Sequence, residues 1–311
     1  MLAQRYSDCC RIGFRKEGIK MNDMSKPEFS LQDKSEFYLV MARVFMTPQS
    51  PEIYQAMKEC LADDLDDMDR ALGYGLSSPL EAFRAEMAKI PSHEDLLIVY
   101  SRIFLQPPRE AKINTGIYLD GAFMGGTIDE ISAFYRKFGV DRGDHFKDLP
   151  DHISVQLEFV SYLYAQAAEA LNSDPGIDPG AEAGASHYLF QFVRRWLPSF
   201  HADLEKTTRE LGEIGLPANP YLPLASMLVA AVNRDGLANP AWIEEKSRVE
   251  KAVEKARSHH AVRGITPEDI AEMERKLKEK GLSTEHLKTP AENRDKERGW
   301  IPKKPPDPRR K

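Results

Sequence analysis

Side chains able to do chemistry crowd into one short stretch: His145, Asp148, Asp151 and His152, with Glu158 two turns further on. Two carboxylates and two imidazoles so close in sequence raise the question of a metal. The spacing argues against it. Adjacent residues 151 and 152 point about 100° apart on a helix, and no His-x-x-x-His or Glu-x-x-His pair puts two ligands on one face. Nucleophilic catalysis has less to stand on, because no serine or cysteine sits in a recognisable elbow. Gly125-Gly126-Thr127 is a glycine turn entering a helix, a form that can take an anion. It lacks the lysine and the spacing of a phosphate-binding loop.

The element that must position these residues is a helix read from Leu149 to about Leu171. Asp148 can cap its start, and Pro150 suits a first turn, where a missing N–H costs nothing. Ile153, Leu157, Val160, Tyr164, Ala167 and Leu171 recur at helical spacing, so one stripe faces a core. Asp151 and His152 then fall at the exposed N–H end of this helix. As a bland reading, Asp151 caps the helix and His152 satisfies a core hydrogen bond.

Other helices follow from caps and breakers. The pattern predicts helices over about 31–46, from Pro51 into the acidic cluster Asp63–Asp69, over 78–90 from a Ser78-Pro79-Leu80-Glu81 capping box, and over 92–104. Thr127–Phe138 is amphipathic and closed by Gly139. A helix containing Tyr188, Phe192 and Trp196 should kink at Pro198, and a last core helix covers 222–232. Between 106 and 126 lies an irregular stretch, too long to be idle and too apolar to be unstructured. Asn172–Gly184 reads as a flexible linker. No clean alternating strand pattern is present. The expected fold is all-α: a single-domain helical bundle of roughly nine helices over 31–232, with residues 1–30 a disordered extension and 233–311 a charged, partly helical tail.

The chain has 311 residues, 41% hydrophobic and 30% charged, with a net charge of −6. That excludes a nucleic-acid binder by bulk electrostatics. No apolar run reaches the roughly 18–20 residues of a membrane span. Cys9, Cys10 and Cys60 form neither a disulfide framework nor a zinc pattern, so they read as free thiols of a reducing compartment. The charge is unevenly placed. Residues 241–311 hold 19 Lys plus Arg against 14 Asp plus Glu, and residues 1–240 hold 24 against 35. The tail is therefore basic and the body acidic, and the mixed signs of the tail read as a solvated appendage.

Five short motifs occur in order. They are Tyr100-Ser101-Arg102-Ile103-Phe104, Gly116-Ile117-Tyr118, Tyr135 to Gly139, Pro150-Asp151-His152 and Leu157-Glu158-Phe159. Together they resemble the TorD/DmsD/NarJ family of maturation chaperones for molybdenum enzymes of the dimethyl sulfoxide reductase superfamily. Gly116 stands where the family usually has serine, and Ile103 where it has leucine. The tail after Asn233 has no counterpart in the family pattern.

The resemblance implies a cytoplasmic protein that acts by binding and is not an enzyme. Its partners would be the molybdoenzyme catalytic subunit and its N-terminal twin-arginine leader, held until the cofactor is inserted. Asp151 and His152 match family residues implicated in leader binding. With Glu158 supplying charge, and Tyr118, Phe123, Tyr100 and Phe104 supplying apolar walls, they form the expected partner site. For Tyr118 and Phe104 a place in the core is the favoured reading over a partner contact. No cofactor or metal is implied. Weak guanine-nucleotide binding is associated with the family, without independent support in these residues. A monomer and a dimer exchanging segments at the 172–184 linker both fit. Two alternatives stay open: a structural subunit that remains in the complex, and a helical metal-dependent hydrolase.

Overall fold

The computed structural model describes residues 27–107, 111–123, 125–140, 149–173, 180–216, 218–244, 247, 248, 251 and 275. The expected disordered extension lies outside these residues, except that 27–30 already belong to the first helix. The chain divides into two compact units, 1–240 and 241–311. Most of the second lies outside the described residues; its described residues 241–244, 247, 248, 251 and 275 are helical.

Eleven α-helices and no named strand make up the described part of the first unit. In chain order they are α1 (Pro27–Val44), α2 (Pro51–Glu59), α3 (Leu61–Leu72), α4 (Ser77–Ala88), α5 (His93–Phe104), α6 (Thr115–Asp120), α7 (Gly126–Lys137), α8 (Ile153–Ser173), α9 (Ala181–Tyr188), α10 (Arg194–Glu213) and α11 (Tyr221–Asp235). The all-α bundle expected from the sequence is the fold observed.

Helix α8 runs through the middle, and α1 lies along it. Ile153, Leu157, Val160, Tyr164 and Ala167 are all buried, as their 3.6-residue spacing requires. Opposite them α1 buries Tyr38, Met41 and Ala42. The two helices come close where both are small: the Ser35 hydroxyl donates to the Ser161 carbonyl at 2.9 Å. One turn away Tyr38 stacks on Tyr164 at 5.7 Å between centroids.

Several boundaries differ from the sequence reading. The expected helix from Pro51 breaks at Cys60 into α2 and α3. The Ser78 capping box does not form: α4 starts at Ser77, with Leu76 at its cap position and no side-chain cap bond. The preceding turn is held from α3, where Asp69 accepts the amides of Gly75 and Leu76 at 2.9 and 2.7 Å. Pro198 does not interrupt its helix. It lies inside α10, and the irregularity is a π-turn one turn earlier, Leu189–Val193, joining α9 to α10. Ser92 does cap α5, accepting the Asp95 amide at 3.2 Å.

A second node closes the bundle where α11 ends. Asp235 is buried and accepts the Tyr38 hydroxyl at 3.0 Å. It also accepts the Tyr74 hydroxyl and lies 3.2 Å from the Lys34 ammonium. A buried carboxylate is tolerable only when so fully partnered. Burial first, and then the Asp235 charge, push the Tyr38 and Tyr74 phenols well above their usual range.

Candidate functional site

Helix α8 begins at Ile153, so Pro150, Asp151 and His152 precede it, a correction to the expected start at Leu149. The cause is a backbone clasp. The Thr115 amide donates to the Asp151 carbonyl at 3.0 Å, and the Ile153 amide donates to the Ile113 carbonyl at 3.0 Å. Asn114 and His152 face each other in an isolated antiparallel bridge. The two backbones thus pair at Asn114 and His152, immediately before α6 and α8, and His152 cannot be helical as well.

Asp151 has no exposed surface. One carboxylate oxygen accepts the Asn114 side-chain amide at 3.0 Å, and the other accepts the Gly116 backbone amide at 2.8 Å. Gly116 is the second residue of α6, so Asp151 caps a helix that lies 35 residues earlier. The approach is close: a Cβ at position 116 would stand 3.0 Å from the Asp151 carboxylate and 3.1 Å from the Ala122 carbonyl, so a side chain there would make its neighbours give by a few tenths of an ångström. The bland reading had Asp151 capping its own helix. His152 does that instead, its Nδ1 accepting the Ser154 amide at 3.2 Å.

Gln156 locks the clasp from within. Its amide donates to the Asp151 carbonyl at 2.8 Å and to the Thr115 hydroxyl. Below it, Tyr135 donates to the Pro150 carbonyl at 2.8 Å, and its oxygen lies 3.2 Å from the Tyr188 hydroxyl. Burial pushes both phenols well above their usual range, and the Asp151 charge adds to the rise.

The stretch expected to be irregular holds α6 and a tight turn into α7. Tyr118 on α6 donates to Asp203 at 2.9 Å and accepts the Lys112 amide at 2.9 Å. Its ring stacks on Trp196 at 5.5 Å. At the end of α6, Asp120 accepts the Thr127 amide at 2.9 Å and the Thr127 hydroxyl at 2.8 Å. A Cβ on Gly125 would collide with the Asp120 side chain. The Thr127 amide of this glycine turn is therefore already engaged.

The seven residues expected to bind a partner do not share one surface. Tyr100 and Phe104 are buried, in an aromatic cluster with Tyr221 at 5.6 and 5.2 Å. Tyr118 is half-buried above it, 6.4 Å from Phe200. Asp151 acts on the surface only through the segment it holds. His152 is partly exposed, Phe123 is 44% exposed, and the Glu158 side chain is half exposed, 3.9 Å from Arg43 of α1. Sequence reasoning passed over Asn114, Gln156, Asp120 and Asp203. Gln156 left a signal, a polar residue beside an apolar stripe; Asp203 left none.

Among the described residues, no group of three His, Cys, Asp or Glu side chains could hold a metal ion. His145 and Asp148 lie outside the described residues. Among the described residues, no helix is long and apolar enough to cross a membrane.

A family model described as nitrate reductase delta subunit matches residues 60–202, the segment that contains the clasp. The chain is 31% identical over 90 residues to the chlorate reductase assembly chaperone protein of Ideonella dechloratans, covering 29% of this chain and 46% of that protein. It is 29% identical over 90 residues to the selenate reductase assembly chaperone protein of Thauera selenatis, with the same coverage. It is 23% identical over 174 residues to the chaperone protein TorD of Photobacterium profundum, covering 49% of this chain and 80% of that protein. The matched region thus spans about half the length of the first two relatives. No solved structure matches the chain at comparable significance.

Proposed function

The chain belongs to the TorD/NarJ family, and from that membership we propose that it is a cytoplasmic assembly chaperone for the catalytic subunit of a molybdenum-containing reductase, acting by binding. The observation that carries this reading is its similarity to proteins named as reductase assembly chaperones. The client would be held before its cofactor is inserted, through its N-terminal leader or the folded apoprotein. A leader with paired arginines and an apolar helix calls for a carboxylate next to apolar surface. Glu158, His152 and Phe123 are the expected partner residues that reach solvent. Asp151 serves as a positioning residue, because it fixes the segment that leads from α6 toward Phe123.

The test is affinity isolation from native cells, with mass spectrometry of the bound proteins. A reductase catalytic subunit enriched in its cofactor-free form is the expected result. The same subunit at fixed ratio in the mature, active enzyme would replace the chaperone by a structural subunit. Residue roles are read with His152→Asn, which keeps an acceptor for the Ser154 amide, together with Glu158→Ala and Phe123→Ala. These variants should weaken leader-peptide binding while the unfolding midpoint stays in place.

A further inference from the structure

An open cleft of about 310 Å³ lies between α4, α10 and α11, away from the clasp. Ser226, His201 and Glu205 line it. The Ser226 hydroxyl lies 2.8 Å from Nε2 of His201. On the far side of the same ring, Nδ1 lies 3.6 Å from the Glu205 carboxylate. The order is nucleophile, base and orienting carboxylate, and it is brought together from two helices.

Glu205 stands on the Nδ1 side of the ring, and Nε2 faces Ser226. The Ser226 hydroxyl has a second acceptor, the Leu222 carbonyl of its own helix, at 3.1 Å. The shorter contact is the one to His201. Ser226 and His201 are both partly exposed, so a substrate can reach them. Ser78 and Pro79 bring the start of α4 to the cleft wall. Ala82, Leu222 and Pro223 supply apolar wall for a small acyl group. Glu86, also in the cleft, is engaged by the Asn219 amide and by Lys89.

We propose that Ser226 is an activated nucleophile with His201 as its base, and that the cleft hydrolyses small activated esters. Oγ of Ser226 would attack the ester carbonyl carbon as its proton passes to Nε2 of His201. The bond to the leaving oxygen breaks, and that oxygen takes the proton from Nε2. Water then attacks the acyl-serine, with His201 removing its proton and returning it to Oγ. The sum is ester plus water giving acid plus alcohol. Glu205 is a positioning residue that fixes the imidazole. The proposal is independent of the chaperone reading.

The experiment treats the full chain with a fluorophosphonate probe and with p-nitrophenyl acetate, and locates the label by peptide mass spectrometry. Label is expected on Ser226 and is expected to disappear on denaturation. His201→Ala should slow it by about a hundredfold, the low end of what a positioned base supplies. Glu205→Gln should shift the pH profile of labelling while the thermal unfolding curve is unchanged, a shift that a purely structural role would not produce. Ser226→Ala should lose label and ester turnover but still bind the client. Label spread evenly over surface serines, or equally fast labelling of Ser226 in a folded His201→Ala variant, would overturn the proposal.

Discussion

The Asp151 carboxylate accepts the backbone amide of Gly116 at 2.8 Å, tying the start of α6 to the entry of α8. A charged acceptor with two donors and no exposed surface contributes about 1.5–3 kcal/mol per bond relative to leaving the donors bare. Asp151→Ala should therefore lower stability by about 2–4 kcal/mol, and Asp151→Asn by less. Hydrogen exchange at the Gly116 amide is the direct readout, and it should speed up in both variants. Unchanged protection there would show that the clasp does not depend on the carboxylate.

A second carboxylate, at the other end of the bundle, predicts a larger loss. Asp235 gathers Lys34, Tyr38 and Tyr74 in a buried position. Removing it strands a cation and two hydroxyls. Asp235→Ala should cost about 3–5 kcal/mol, the range for breaking a buried pair from one side. Denaturant unfolding measures it. The double variant Asp235→Ala with Lys34→Met should recover part of the loss, because no unpaired charge then remains.

Phe104 and Phe123 were both expected to face a partner, and their surroundings separate them. Phe104 is buried against Tyr100, Phe200 and Tyr221. Phe104→Ala should cost about 3–5 kcal/mol through the cavity it leaves. Phe123 is 44% exposed, and Phe123→Ala should stay within about 0.5 kcal/mol of the parent. Chemical denaturation of the two variants side by side checks both. A large loss from Phe123→Ala would mean that its ring packs more than its exposure indicates.

These contrasts mark what was legible in the sequence. The stripe from Ile153 to Ala167 could be read because burial on a long helix repeats every 3.6 residues. So could the Ser92 cap and the Gly139 terminus, whose signals are local. Helix α6 could not, because six residues are too short to show a period and its cap comes from Asp151, far along the chain. The break at Cys60 carries no proline or glycine to announce it. The start of α8 was misplaced for the same reason: Pro150 permits a first turn, but the pairing of His152 with Asn114 overrides it. Motif residues were found by their order, whereas their roles depend on partners that no local pattern names.

The last prediction concerns pH. Asp33 on α1 is partly buried and its carboxyl is pushed up to about 6, by burial first and by the neighbouring Glu36 charge second. Its ordinary value is 3.8. The folded state therefore holds this proton more tightly than the unfolded chain does. The stabilising contribution is complete below the unfolded value and is lost as pH rises through the folded one. At pH 7 the group is a partly desolvated charge that folding must tolerate. Asp33→Asn removes that charge and should stabilise the protein at pH 7 by about 1–2 kcal/mol, allowing for solvent screening at a partly exposed position. The gain should shrink between pH 6 and 4 and vanish below it. Unfolding midpoints of parent and variant across this range give the test; a gain that persists at pH 3.5 would trace to packing and not to ionisation.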